Sequence, residues 1–186
     1  MKKVIVCLLL LLSFTGCTNQ SAVDNSDKKW ITYQKVVVGE TKATEVEKLL
    51  GAPFDKTELS EQETVYYQYS GYSVIAQNGK VTTITIKSET APMLENGIAV
   101  GSTKGELLAL LPAEPEIVKY TEFIPEGVGK NNADTLRMYC LVEYSSDGAE
   151  ILSQNIIVLL SDGSMVDCSI NQKDIVEKIT IVAPNE

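Results

Sequence analysis

The pentapeptide Val38-Gly39-Glu40-Thr41-Lys42 recurs, with one substitution, as Val100-Gly101-Ser102-Thr103-Lys104, and no other feature constrains the fold so much. A turn that leads twice into the same kind of segment calls for one small unit built twice. In the first copy Ala43, Val46, Leu49 and Leu50 fall on one side at helical spacing. Thr41 is placed to cap, Gly51 to terminate and Pro53 to block continuation, which predicts a helix over about 42–50. In the second copy Thr103 with Glu106 forms a capping-box pattern, Leu107, Leu108 and Leu111 supply the stripe and Pro112 ends it, which predicts a helix over about 104–111.

Strand patterns follow each helix. In the first copy they occupy 65–87, with Asn78-Gly79 between two runs as a type I′ hairpin signal. In the second they occupy 136–182. The run 176–181 matches 81–86, although Asp162-Gly163 offers itself equally as the counterpart of Asn78-Gly79, so two alignments stand open. The expected fold is α+β: two tandem helix-plus-antiparallel-sheet repeats, over 30–90 and 98–183, joined by 87–97 and packed sheet beside sheet.

The start of the chain carries an address. Lys2 and Lys3 precede an apolar run from Val4 to Leu12, then small residues up to Cys17, the order of a secretory signal over residues 1–16. The run is too short to cross a hydrocarbon core about 30 Å thick. Thr15-Gly16-Cys17 resembles a lipobox, which implies lipidation of Cys17 and anchoring outside the cytoplasm on a bacterial membrane; the other reading is an ordinary signal peptide cut near Gly16. Residues 17–29 are almost free of apolar side chains and read as a flexible tether.

Formal net charge is −9, and removal of 1–16 takes away two lysines and no acid. Such a surface disfavours nucleic acid, which is bound by clustered Lys and Arg. Cys7 leaves with the signal and Cys17 is the lipidation site, so Cys140 and Cys168 remain as a possible disulfide outside the reducing cytosol or as two buried thiols. Histidine is absent, which removes the commonest general base and the Ser-His and Cys-His nucleophile systems. No phosphate loop, dinucleotide fingerprint or calcium-loop spacing occurs, so no catalytic residue, metal ligand or cofactor is expected.

Two features point to binding instead. Tyr66, Tyr67, Tyr69 and Tyr72 crowd one stretch of the first sheet, and aromatic side chains with a polar tip are favoured at protein interfaces; a packed core face plus a contact between the repeats is the favoured reading of the same cluster. The long loop 112–135, with Tyr120 and Phe123 among its anchors, is an insertion relative to the first copy and reads equally as a binding loop or as a structural arm bracing the second sheet.

The stretch from Gly39 to Pro53 also resembles the G-x-T-x-x-x-V-x-x-L-L-G-x-P pattern of β-lactamase-inhibitor-like domains, a superfamily that includes the small lipoprotein of the outer-membrane assembly machine. The resemblance implies tandem helix-plus-sheet copies and concerns packing rather than activity. The function expected is that of a membrane-anchored, extracytoplasmic protein-binding or scaffold module with an envelope protein as partner. An inhibitor of a secreted or envelope enzyme, of β-lactamase or protease type, is the alternative, and a carboxylate-dependent hydrolase comes last.

Overall fold

The computed structural model describes residues 25–60, 63–119, 136–146, 148 and 150–184. The chain opens with α1 (Asn25–Ile31) and the short hairpin β1 (Thr32–Tyr33) and β2 (Val36–Val37). A 3-10 turn (Ala43–Glu45) leads into α2 (Val46–Leu50), and four strands follow: β3 (Asp55–Leu59), β4 (Thr64–Tyr69), β5 (Tyr72–Gln77) and β6 (Lys80–Ile86). Then come α3 (Lys104–Ala109), β7 (Glu116–Lys119), β8 (Arg137–Tyr144), β9 (Ile151–Leu159), β10 (Met165–Ile170) and β11 (Val176–Val182).

Strands β3 to β11 form one sheet of nine, in the order β3-β4-β5-β6-β11-β10-β9-β8-β7. Every pairing is antiparallel except that of β7 with β8. The expected α+β class of two helix-plus-sheet repeats is therefore wrong. Among the described residues the protein is mostly β, with three short helices. The physical cause lies at the middle of the sheet, where Ile84 faces Ile181, Thr85 faces Thr180 and Ile86 faces Ile179. Strands that each copy could have left as edges pair with one another instead, which removes two exposed edges and merges the cores.

The two motif copies nonetheless dock alike. Gly39 N–H donates to the Val81 carbonyl and Gly101 N–H to that of Val176, both at 2.8 Å; Ala43 N–H reaches Gly79 and Lys104 N–H reaches Asp174. This settles the alignment: β6 and β11 correspond. The loop of the first copy is one residue longer, and that residue displaces the expected cap. Thr41 accepts from the Val37 N–H at 2.8 Å and Lys42 takes the N-cap position of the 3-10 turn. Thr103 caps α3 and forms the capping box with Glu106. Asn78 and Gly79 adopt φ of 50° and 78°, as the β5–β6 turn requires.

One face of the sheet carries the core. Val74, Ile84, Val166, Cys168, Ile179 and Ile181 are buried in a single cluster with Trp30, Ile31, Tyr33 and Val46. Fully burying a side chain of this kind stabilises by about 1.5–3 kcal/mol. The opposite face presents Ser73, Thr85, Thr180 and Asp167 along one cross-strand row, and in the second half Leu141 and Ile157 are buried on that face as well. α1 begins inside the segment expected as tether, and Trp30 and Ile31 are buried. The connector is also packed, with Ala91 and Leu94 buried.

Candidate functional site

The tyrosines divide by strand parity. Tyr67 and Tyr69 point into the core and are 3% and 8% exposed, as the packed-face reading has it, and neither is open to a partner. The Tyr67 hydroxyl donates to the Ala43 carbonyl at 3.0 Å and that of Tyr69 to Gly51 at 3.1 Å, so the pair fixes the two ends of the 3-10/α2 segment. Tyr72 stacks on Tyr69, with centroids 4.7 Å apart, and meets Tyr33 edge-on at 5.0 Å. Burial pushes the hydroxyls of Tyr33 and Tyr69 up to about 12. Tyr66 is half-buried on the opposite face. Tyr120, Phe123 and Cys17 lie outside the described residues.

Cys140 and Cys168 are free and buried, which is the two-thiol reading of the pair that the sequence left open beside a disulfide. Cys140 instead accepts a hydrogen bond from the Gln154 amide at 3.2 Å. On the polar face the Asn155 amide donates to Asp167 at 2.6 Å and to Ser169 at 3.1 Å. Burial raises Asp167 above the usual carboxylate range, against the lowering effects of Asn155 and Lys178. Among the described residues no group of three or more His, Cys, Asp or Glu could hold a metal ion.

The feature that the sequence did not announce is an open groove of about 690 Å³ between α3 and strands β7, β8 and β9. Its floor is Cys140, Val142, Gln154 and Ile156; Leu108 and Leu111 form one wall, and Ile117, Tyr144 and Ile151 line it as well. Ile117 is 74% exposed, Tyr144 44% and Ile151 48%. Lys104 and Glu114 are the charged groups that line it among the described residues.

The groove has a compositional cause. Tyr67 faces Val74, which faces Ile84; in the other half Ile156 faces Cys168, which faces Ile179. Counted from Val81 and Val176, Ile156 thus holds the position of Tyr67, and by the same rule Val158 holds that of Tyr69. Lys56, paired opposite Tyr67, bridges Glu47 and Glu58 at 3.1 and 2.9 Å and lies over the Tyr67 ring, while Cys140 stands in its place opposite Ile156. Two tyrosines and an ion-paired lysine fill the space beside α2. Smaller side chains without a hydroxyl reaching the helix leave the space beside α3 open. The legible signal was the run Met138-Cys140-Val142-Tyr144, apolar on one side of a strand, opposite a helix of only six residues.

No protein-family model matches the chain, and no curated protein does; the likeness to β-lactamase-inhibitor-like domains is thus left without support from either. Two solved structures are similar. One is an extracellular protein containing a SCP domain from Bacillus anthracis str. Ames, at 14% identity and a TM-score of 0.49, covering 89% of this chain and 49% of the other, so that the chain spans about half of that protein's length. The second is a DUF4309 family protein, YjgB, from Bacillus subtilis subsp. subtilis str. 168, at 10% identity and a TM-score of 0.46, covering 85% of this chain and 92% of the other.

Proposed function

We propose that this chain is an extracytoplasmic lipoprotein, anchored to a bacterial membrane through Cys17, that acts as a protein-binding module of the cell envelope. The observation that carries the binding role is the open groove beside α3, whose apolar lining includes Ile117, Tyr144 and Ile151 exposed together. Contiguous apolar surface facing water is costly to keep unless something covers it, and it commonly marks a contact surface. The address rests on the order of residues 1–17.

The test is a photo-crosslinking amino acid placed in the full chain at Ile117 or Tyr144 in living cells, with Phe54, exposed beside the opposite end of the sheet, as control. A discrete protein adduct from the two groove positions and none from position 54 supports the reading. Absence of adducts from both groove positions overturns it. Intact-mass analysis of the purified chain tests the anchor, because an unmodified thiol at residue 17 removes it.

A further inference from the structure

We infer that the groove beside α3 receives an amphipathic helix of the partner protein, oriented with its C-terminal, acidic end toward Lys104 and its N-terminal, basic end toward Glu114. The inference rests on the protein-binding reading above and names the partner's chemistry.

Backbone accounting separates a helix from an extended segment. The floor of the groove is built from β8 and β9, and both are interior strands: β8 pairs with β7 and β9, and β9 with β8 and β10. Their peptide groups are used by the ladders. The Gln154 amide on the floor is already directed to Cys140, and Cys140, Val142 and Ile156 offer no strong donor or acceptor. An extended peptide laid on this floor would desolvate N–H and C=O groups without replacing their bonds, at about 1–3 kcal/mol for each group left unpaired. A helix satisfies its own backbone and presents only side chains, with apolar anchors at i, i+3, i+4 and i+7.

Charge fixes the direction. Lys104 sits where α3 starts, next to the Thr103–Ile175 bridge at the head of β11 near the middle of the sheet. Glu114 precedes β7 at the sheet's edge. The two therefore mark opposite ends of the groove, and neither makes an ion pair among the described residues. A cation at one end and an anion at the other complement a helix laid with its negative pole toward Lys104 and its positive pole toward Glu114; acidic side chains in its last turn and basic ones in its first oppose that dipole within the helix but pair directly with Lys104 and Glu114.

The probe is a stapled, fluorescein-labelled helical peptide of about 15 residues, long enough to hold helix in water when constrained. It carries leucines at i, i+3, i+4 and i+7, lysines in its first turn and glutamates in its last. Fluorescence anisotropy reads its binding to the full chain held in lipid nanodiscs, with empty nanodiscs as blank. Three competitors accompany it: the same peptide with the charges exchanged, an unstapled version broken by proline, and an extended peptide of alternating leucine and serine. The expected result is binding of the first peptide about fivefold tighter than its charge-exchanged form, a preference abolished in Lys104→Glu, where both ends of the groove are acidic, and no saturable binding of the other two. Equal or tighter binding of the proline-broken or extended peptide, no saturable binding of any peptide, or a charge preference unaltered by Lys104→Glu overturns the inference. If the groove crosslinks in cells persist while these peptides fail, the binding role stands and the helical partner falls; if the crosslinks are absent, the binding role itself falls.

Discussion

Cys140 and Cys168 are both cross-strand partners of Ile156, one from β8 and the other from β10. Two strand spacings therefore separate them, about 9.5 Å between backbones, whereas a disulfide needs Cα atoms within about 7 Å. Both side chains share the core face, so no rotamer change brings the sulfurs together without breaking the ladder of β9.

The first prediction concerns these thiols. Maleimide labelling of the folded chain leaves Cys168 unreacted, and denaturation without reductant exposes both Cys140 and Cys168, read as mass increments on peptides containing them. A peptide linking residues 140 and 168 through sulfur would refute the register of β8, β9 and β10.

Alkaline stability follows from the same side chain. Burial first, and the neighbouring Asp167 second, raise the Cys168 thiol from 9.0 to about 12. The folded state holds this proton more tightly than the unfolded state, so the contribution is complete below pH 9 and is lost as pH rises toward 12, by up to about 4 kcal/mol at roughly 1.4 kcal/mol per unit. Tyr33 and Tyr69, raised from 10.0 to about 12, add losses of the same sign that begin near pH 10. Thermal midpoints should fall steeply between pH 9 and 12, and Cys168→Ala should remove the part of the slope that starts near pH 9. An unchanged slope in that variant would exclude the thiol as its source.

Tyr67→Phe and Tyr69→Phe remove only the bonds to Ala43 and Gly51. Each should cost about 1 kcal/mol in urea unfolding, whereas Tyr67→Ala should cost about 3–5 kcal/mol because it opens a cavity under α2. Losses of similar size for Phe and Ala at residue 67 would show that the ring contributes little.

The two threonines of the repeated motif should behave differently. Thr103→Ala loses the cap of α3, at about 1 kcal/mol, and Thr103→Ser restores it. Thr41→Val keeps its shape but leaves the Val37 N–H without its acceptor, at about 1–3 kcal/mol. The Glu106 carboxyl is lowered by its bonds from Thr103, so the stabilisation it gives is present above pH 4.5 and declines in acid. Identical behaviour of Thr41 and Thr103 across Ala, Ser and Val substitutions would contradict the extra residue in the first loop.

Ile117→Asp and Tyr144→Ser alter groove residues that face solvent, so unfolding free energy should stay within about 0.5 kcal/mol of the parent. Crosslinking to a partner from the remaining groove position should disappear. A large loss of stability in both variants would assign these side chains to the core.

Local chemistry was legible in the sequence where short-range rules decide it. Asn78-Gly79 specifies its own turn, Thr103 and Glu106 specify their own cap, and the alternation of Ile84, Ile86, Ile179 and Ile181 marks a shared face. The pairing of β6 with β11 was not legible, because edge-to-edge joining depends on which strands are left unpaired after each hairpin forms, and no residue encodes that alone. The groove was hidden for a related reason. Only once the strands are in register does Ile156 appear in the place of Tyr67, and an empty volume has no residue of its own. The tyrosine cluster left two readings open because strand parity does not say which face is covered, and here the face bearing Tyr67 and Tyr69 lies beneath α2.

The central pairing also sets an order of events. Val81–Ile86 waits for partners nearly a hundred positions downstream, so during synthesis or export β6 is a bare, isoleucine-rich rim until β11 arrives. Contacts so distant along the chain slow folding and prolong the interval in which such a rim can recruit a neighbouring molecule. The hazard of misassembly should therefore concentrate in that interval.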